Sequence, residues 1–354
     1  MKNFQQQRGI SLVELMISIT IGLILMTGVV QLFLSSRVTF STQQALARVQ
    51  ESGRLAMDFL AKDIRMAGFA GCSSRHIDLT NQLNDQSLTS YKFNVAIEGE
   101  DDIGAEPPAG YPDEALEGTD ILVVRSAGGS SLGIKKMNDA DYVYARYTSD
   151  VAPCGENQTG SSGICSGDIL MVANCRSAYV FQATEVLGDS VDEEVQIAHA
   201  AGDNPGNHVV TWGGSDDAAS GASFGPDAQI FQMITTVYYI ADGASGAPSL
   251  WQEVNGLAPQ ELLEGVQDMQ LTYGVDSNGD GAPDNYVDAG ELTGAIAWSD
   301  VVSARVELLV QSSEDNVLSE PQSYTFNGVE VDDPGDRRLR QVFSSTVAIR
   351  SRIY

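Results

Sequence analysis

From Ile10 to Leu34 the chain runs 25 residues with one ionisable side chain, Glu14, in a setting otherwise uncharged and mostly apolar. A helix needs ~20 apolar residues to cross a bilayer, so the run is long enough. It constrains everything after it: one end of the chain is held in an apolar phase, and the remainder must fold on one side. A carboxylate inside such a segment costs about 2.5–3.5 kcal/mol to insert. Glu14 therefore calls for a counter-charge, and the run itself holds none.

A short polar leader carrying Lys2 and Arg8 ends in Gly9, and the apolar run follows at once. An ordinary secretory peptide places small residues after its apolar run and is removed with it. Ser35-Ser36 is a poor site of that kind, and the run is long for one. Lys2 and Arg8 belong on the cytoplasmic side by the positive-inside rule, which places the rest of the chain outside.

The helix is expected to continue past Leu34. Between Ser35 and Ala67 there is no Pro and Gly53 is the only Gly. Leu46, Val49, Ala56, Phe59, Leu60, Ile64 and Ala67 recur near the helical period, opposite Arg48, Glu51, Arg54, Asp58, Lys62 and Arg65. Gly68 and Gly71 are stop signals. Beyond them the chain reads as strands. Runs at Thr119–Ser126, Asp168–Gln182 and Gln229–Ile240 are apolar and β-branched. Val302, Ala304, Val306, Leu308 and Val310 alternate with Ser303, Arg305, Glu307 and Leu309, a half-buried strand. Phe343, Val347, Ile349 and Ile353 form one face of a last strand. Long loops are expected at Glu98–Gly118, Asp150–Gly167, Asp203–Pro226 and Ala241–Pro248. The expected fold is α+β: a long N-terminal helix on an antiparallel sheet. Residues 1–9 are the leader, 10–67 the helix with 10–34 in the membrane or a filament core, and 68–354 an extracytoplasmic β-rich head.

Against 20 Lys and Arg stand 48 Asp and Glu, a formal net charge of −28. Between Arg176 and Arg305 there is no Lys or Arg and there are 20 acidic residues. Such a surface repels phosphates, which argues against direct nucleic-acid binding, and suits a saline exterior or divalent cations. Cys72, Cys154, Cys165 and Cys175 all follow the apolar run, so they face an oxidising compartment, where an even number points to disulfides. Of three connectivities we expect Cys154–Cys165, which closes a Gly- and Ser-rich loop, with Cys72–Cys175.

Asp276, Asn278, Asp280 and Asp284 place oxygens at positions 1, 3, 5 and 9 around Gly281, the first part of a calcium loop, with Ala282 contributing its backbone. The Glu expected at position 12 is replaced by Val287. The competing reading is a metal-free Asx/Gly turn between two strands. Calcium is the expectation, in a structural role. Gly129-Ser130-Ser131-Leu132-Gly133 fits the pattern of a nucleophile elbow, but no helix follows it. The downstream His199 and His208 lie in loop-like stretches. Three histidines make no zinc or haem cluster, Asn157 begins a sequon of little weight, and no enzyme is expected.

The leader, Gly9 and the apolar run with Glu14 resemble the prepilin signature of type IV pilins and type II secretion pseudopilins. That resemblance implies cutting between Gly9 and Ile10 by a prepilin peptidase and methylation of the new N-terminus. It also implies that Glu14 meets the N-terminal amine of a neighbouring subunit. Unlike major pilins, which commonly carry Pro there, the chain has Gln31. Arg54, Asp63–Gly68, Leu262–Val266, Met269, Leu271, Tyr273, Gly274 and Arg337–Val347 resemble the PilW family of minor pilins, to which the pseudopilin GspJ is related. The implied function is priming of type IV pilus assembly within a tip-associated minor-pilin complex, supporting motility and adhesion. The implied partners are other minor pilins, the major pilin, the inner-membrane assembly machinery and a tip adhesin. The subunit would be single-pass in the inner membrane before assembly and in the pilus after it. The alternatives are a type II secretion pseudopilin and an adhesive or ligand-binding tip module.

Overall fold

A single helix, α1 (Leu12–Met66), forms the stem of the protein. The structure, a computed structural model, describes residues 11–71, 77–150, 154–156, 158–202, 205–208, 212–213, 223–292 and 297–352. At 1.5 Å per residue the helix is ~82 Å long. Hydroxyls on its first half turn back onto carbonyls one turn earlier: Ser18 to Glu14 (2.7 Å), Thr20 to Met16 (2.9 Å) and Thr27 to Leu23 (2.8 Å). Each hydroxyl proton is thereby satisfied without water, which suits an apolar surrounding. The helix ends where Gly68 takes φ +66° and donates its N–H to Arg125 O at 2.8 Å. That left-handed turn favours glycine.

Val49, Gly53, Ala56, Leu60 and Ile64 are the buried face of α1. Leu46 and Phe59, expected on that face, are 38% and 37% exposed. Leu46 lies a turn before Val49, where packing begins. Phe59 sits about 100° around the helix from Leu60.

The head begins with β1 (Asp78–Asn81), β2 (Ile97–Glu100), β3 (Ile121–Lys136) and β4 (Tyr142–Arg146). Then come β5 (Gly160–Ser161), β6 (Ile164–Cys165), β7 (Ile169–Ala173), β8 (Ser177–Gln182), β9 (Glu185–Asp189) and β10 (Glu194–Ala198). They are followed by β11 (Gln229–Asp242), β12 (Pro248–Val254), β13 (Gln260–Glu264), β14 (Val266–Val275) and β15 (Asn285–Val287). Last are β16 (Val301–Gln311), β17 (Tyr324–Phe326), β18 (Val329–Val331) and β19 (Arg340–Ala348). An 11-stranded sheet runs β1-β8-β7-β11-β3-β4-β10-β9, with β12 and β13 continuing from β11 and β2 lying on β3. Its pairings are antiparallel except β1 with β8. A second sheet, β15-β14-β16-β19, lies against the buried face of α1. The fold is α+β, mostly antiparallel sheet packed on one long helix.

Several elements differ from the sequence reading. Asp168–Gln182 is a hairpin, β7 and β8, because Asn174 Oδ1 accepts the N–H groups of Arg176 and Ser177 and turns the chain (both 2.9 Å). The expected loop at Ala241–Pro248 shrinks to a tight turn, since β11 reaches Asp242 and β12 starts at Pro248. Glu98 belongs to β2, and the Asp150–Gly167 loop contains β5 and β6. On β16 the second face is open at its middle, where Arg305 is exposed and Glu307 half-buried, but closed at its ends, where Ser303 and Leu309 are buried. Ser303 Oγ lies 3.2 Å from Tyr286 Oη, and the β17–β18 hairpin closes over Leu309. Val347 and Ile349 are buried, Phe343 is half-buried, and Ile353 falls outside the described residues.

Candidate functional site

Among the described residues, the first half of α1 touches nothing else. Its most apolar window has a mean hydropathy of 2.2 and none of it is buried; Leu32 is 74% and Phe40 68% exposed. By length and composition the helix can cross a membrane. Glu14 is on this free segment and exposed, with no side-chain partner among the described residues. Gly9 and Ile10 lie outside the described residues, as does the leader.

Sequence reasoning missed how firmly the other half is held. At Gly53 a Cβ would stand 2.2 Å from the Phe343 ring, so the missing side chain is what lets β19 approach the helix. Tyr238 Oη donates to Asp63 Oδ2 (2.7 Å), Thr42 Oγ1 to Val317 O (3.1 Å) and Ser351 Oγ to Ala67 O (2.8 Å). Beneath the helix end, Arg125 is only 1% exposed. Its guanidinium donates to Thr89 O (2.6 and 3.0 Å), to Val95 O (3.0 Å) and to Glu98, which Lys92 also meets at 2.6 Å. A buried charge persists only when paired and hydrogen-bonded, and this one is. An Arg on a strand gives no sign in the sequence of being buried.

Cys154 and Cys165 form a disulfide with Cα atoms 5.5 Å apart, as expected from the loop between them. Cys175 is disulfide-bonded as well; Cys72, its expected partner, lies outside the described residues.

The Asp-rich loop is closed by its own hydrogen bonds. Asp276, 5% exposed, accepts N–H groups from Gly279 (2.7 Å), Asp280 (3.1 Å) and Gly281 (2.8 Å). Asn278 Oδ1 accepts from Asp280 N–H (2.9 Å), and Asp280 Oδ1 from Ala282 N–H (2.8 Å). Asp284 Oδ2 accepts from Ser277 N–H (2.8 Å), and Asn278 Nδ2 donates to Asp284 Oδ1 (3.0 Å). Among the described residues no three His, Cys, Asp or Glu side chains come together as metal ligands. The loop as it stands thus has the Asx-turn form rather than a converged ligand set.

Acids do gather elsewhere. A cavity of about 470 Å³ between the β17–β18 hairpin and the sheets is lined by Asp101, Asp102, Asp120, Asp268 and Asp288. Burial pushes the Asp120 carboxyl up to about 7 and Asp268 up to about 6. Asp120 still accepts N–H groups from Asp102 (2.8 Å) and Leu271 (2.7 Å), so it joins the two sheets. Gly129–Gly133 runs inside β3, with Ser131 paired to Phe231, so it makes no strand-to-helix elbow. Asn157 lies outside the described residues. His199 is buried next to β10; His208 lines a separate surface hollow with Asn84 and Asp85.

A free apolar stem rooted by its second half in a disulfide-bridged β head defines a pilin-type subunit. Residues 4–30 match the prokaryotic N-terminal methylation motif, and residues 237–351 match type IV pilus-assembly protein W. The chain thus carries both signatures of PilW-type prepilins, which are minor pilins of type IV pilus assembly and a structural, non-enzymatic family. Comparison with curated proteins and with solved structures gave no match. The second matched stretch starts in β11 and includes the whole sheet on which α1 is packed.

Proposed function

We propose that this minor pilin primes filament assembly and sits with other minor pilins in a complex near the pilus tip. From there it supports motility and adhesion, with room for a separate adhesin. The observation that carries this reading is the stem: among the described residues about half of α1 is apolar and unpartnered, and it bears one unpaired acid, Glu14. In a bundle of such helices the desolvation of Glu14 is offset by a neighbour's N-terminal amine, freed when a prepilin peptidase cuts between Gly9 and Ile10. Before assembly the subunit is held in the inner membrane, its leader cytoplasmic and its head periplasmic, in contact with the assembly machinery. Glu14→Val and Gly9→Ala are expected to abolish surface pili while the protein still accumulates in the membrane. Normal piliation in both variants would refute the priming role.

The proposal extends to one structural calcium ion at Asp276, Asn278, Asp280 and Asp284, with the Ala282 backbone. It is supported by the spacing of their oxygens and by the acidity of the surrounding chain. Binding requires Asp280 and Asp284 to turn from the loop's N–H groups toward a common centre. In thermal melts the midpoint is expected to fall when a chelator replaces calcium; an unchanged midpoint excludes the ion.

A further inference from the structure

β9 ends the large sheet: β10 pairs with one side of it, and among the described residues no strand pairs with the other. An open edge can take on a strand from another chain, and proteins blunt such edges with Lys, Pro or a cover. β9 has neither Lys nor Pro, and its centre is Val186-Leu187-Gly188.

A cover is present in the β5–β6 hairpin. At its base Thr159 Oγ1 accepts the outward N–H of Val186 at 3.0 Å. Ser161 packs so closely that a Cβ on Gly188 would stand 2.1 Å from its Oγ. Ile164 joins the same apolar cluster as Val186. On the far side Ser162 accepts from Thr148 N–H (2.8 Å) and donates to Thr148 O (3.0 Å). With two residues per strand, the hairpin is far too short to hold its own shape in water. The Cys154–Cys165 bridge crosses its base, and Gly160 leaves room for it, since a Cβ there would meet Cys154 Sγ at 2.1 Å.

We infer that the Cys154–Cys165 bridge is the clasp of a cover over the β9 edge, and not a staple of the whole head. Oxidised, it holds the hairpin down and the edge closed. A dithiol reductant opens it: the S–S bond breaks, two thiols form, and the reductant gives up two electrons and two protons to become a disulfide. The hairpin then lifts and the edge is free. Two uncovered copies do not pair with each other readily, because antiparallel pairing about Leu187 sets Glu185 opposite Asp189. The direct measure is therefore amide exchange.

The full chain in detergent micelles is compared with the double variant Cys154→Ser, Cys165→Ser by hydrogen–deuterium exchange and mass spectrometry. Peptides spanning Val186–Asp189 are expected to exchange about tenfold faster in the variant, with β7 and β8 unchanged. Thr159→Val, which keeps the bridge, is expected to speed exchange at Val186 alone. Unchanged exchange at Val186–Asp189 overturns the inference. So does an equal rise across the whole head, which would make the bridge a global staple.

Discussion

His199 offers a quantitative test of how the second apolar core is built. It stands next to β10 with no exposed surface, stacked on Trp212 (ring centres 4.2 Å apart) and edge-on to Phe181 (5.8 Å). Among the described residues, neither ring nitrogen has a hydrogen-bond partner. Burial pushes its pKa down to about 4 from the ordinary 6.5, against the weaker pull of its own backbone and of Asp141 and Asp139. The folded state therefore refuses a proton that the unfolded chain accepts. Its contribution to stability is whole above about pH 6.5 and is lost as the pH falls toward 4. Linkage between those two values gives a loss of about 2 kcal/mol at pH 5 and about 3 kcal/mol at pH 4. His199→Phe keeps a ring in the aromatic cluster and removes both unpartnered nitrogens. It should be at least as stable as the native chain at pH 7.5. Denaturant titrations of the full chain in detergent micelles, followed by tryptophan fluorescence from pH 7.5 to 4.5, isolate the histidine by difference. The carboxylates other than Asp139 and Asp141, which face the histidine, titrate alike in both proteins. An equal loss of stability in the two on acidification would refute the reasoning.

Two further outcomes follow from the anchoring of the stem. Arg125→Met strips Thr89, Val95 and Glu98 of a donor in a buried site and should cost about 3–5 kcal/mol, read as a fall in the denaturation midpoint. Gly53→Val drives a side chain into the Phe343 ring and should cost roughly 1–3 kcal/mol; Phe343→Ala in the same chain should recover part of it. If Gly53→Val alone is neutral, the close approach of β19 to α1 is not needed.

The parts of this protein that were legible in its sequence are those set by neighbours along the chain. Hydrophobicity over Ile10–Leu34, the helical period that follows and the stop at Gly68 are local, and α1 runs from Leu12 to Met66 accordingly. Cys154 and Cys165 are near enough for their loop to announce their pairing. The alternation along β16 located a half-buried strand, and Arg305 is exposed as it requires, but contacts from elsewhere in the chain bury Ser303 and Leu309 on the same face. The spacing of oxygens in Asp276–Asp284 points to a calcium loop, with a metal-free Asx turn as the competing reading. Which groups those oxygens face is decided by backbone geometry, and here they face N–H groups.

What only the tertiary structure decided is how the stem and head are joined. Gly53 and Phe343 are neighbours in space alone, as are Asp63 and Tyr238. Arg125 is buried because loop carbonyls and Glu98 arrive around it from elsewhere in the chain. A residue's own chemistry determines whether it prefers water; whether it gets water depends on what the rest of the chain brings beside it. The sequence by itself therefore determined that this protein has an oily rod with one lone acid. Packing determined which half of α1 is rooted in the head and which half stays exposed.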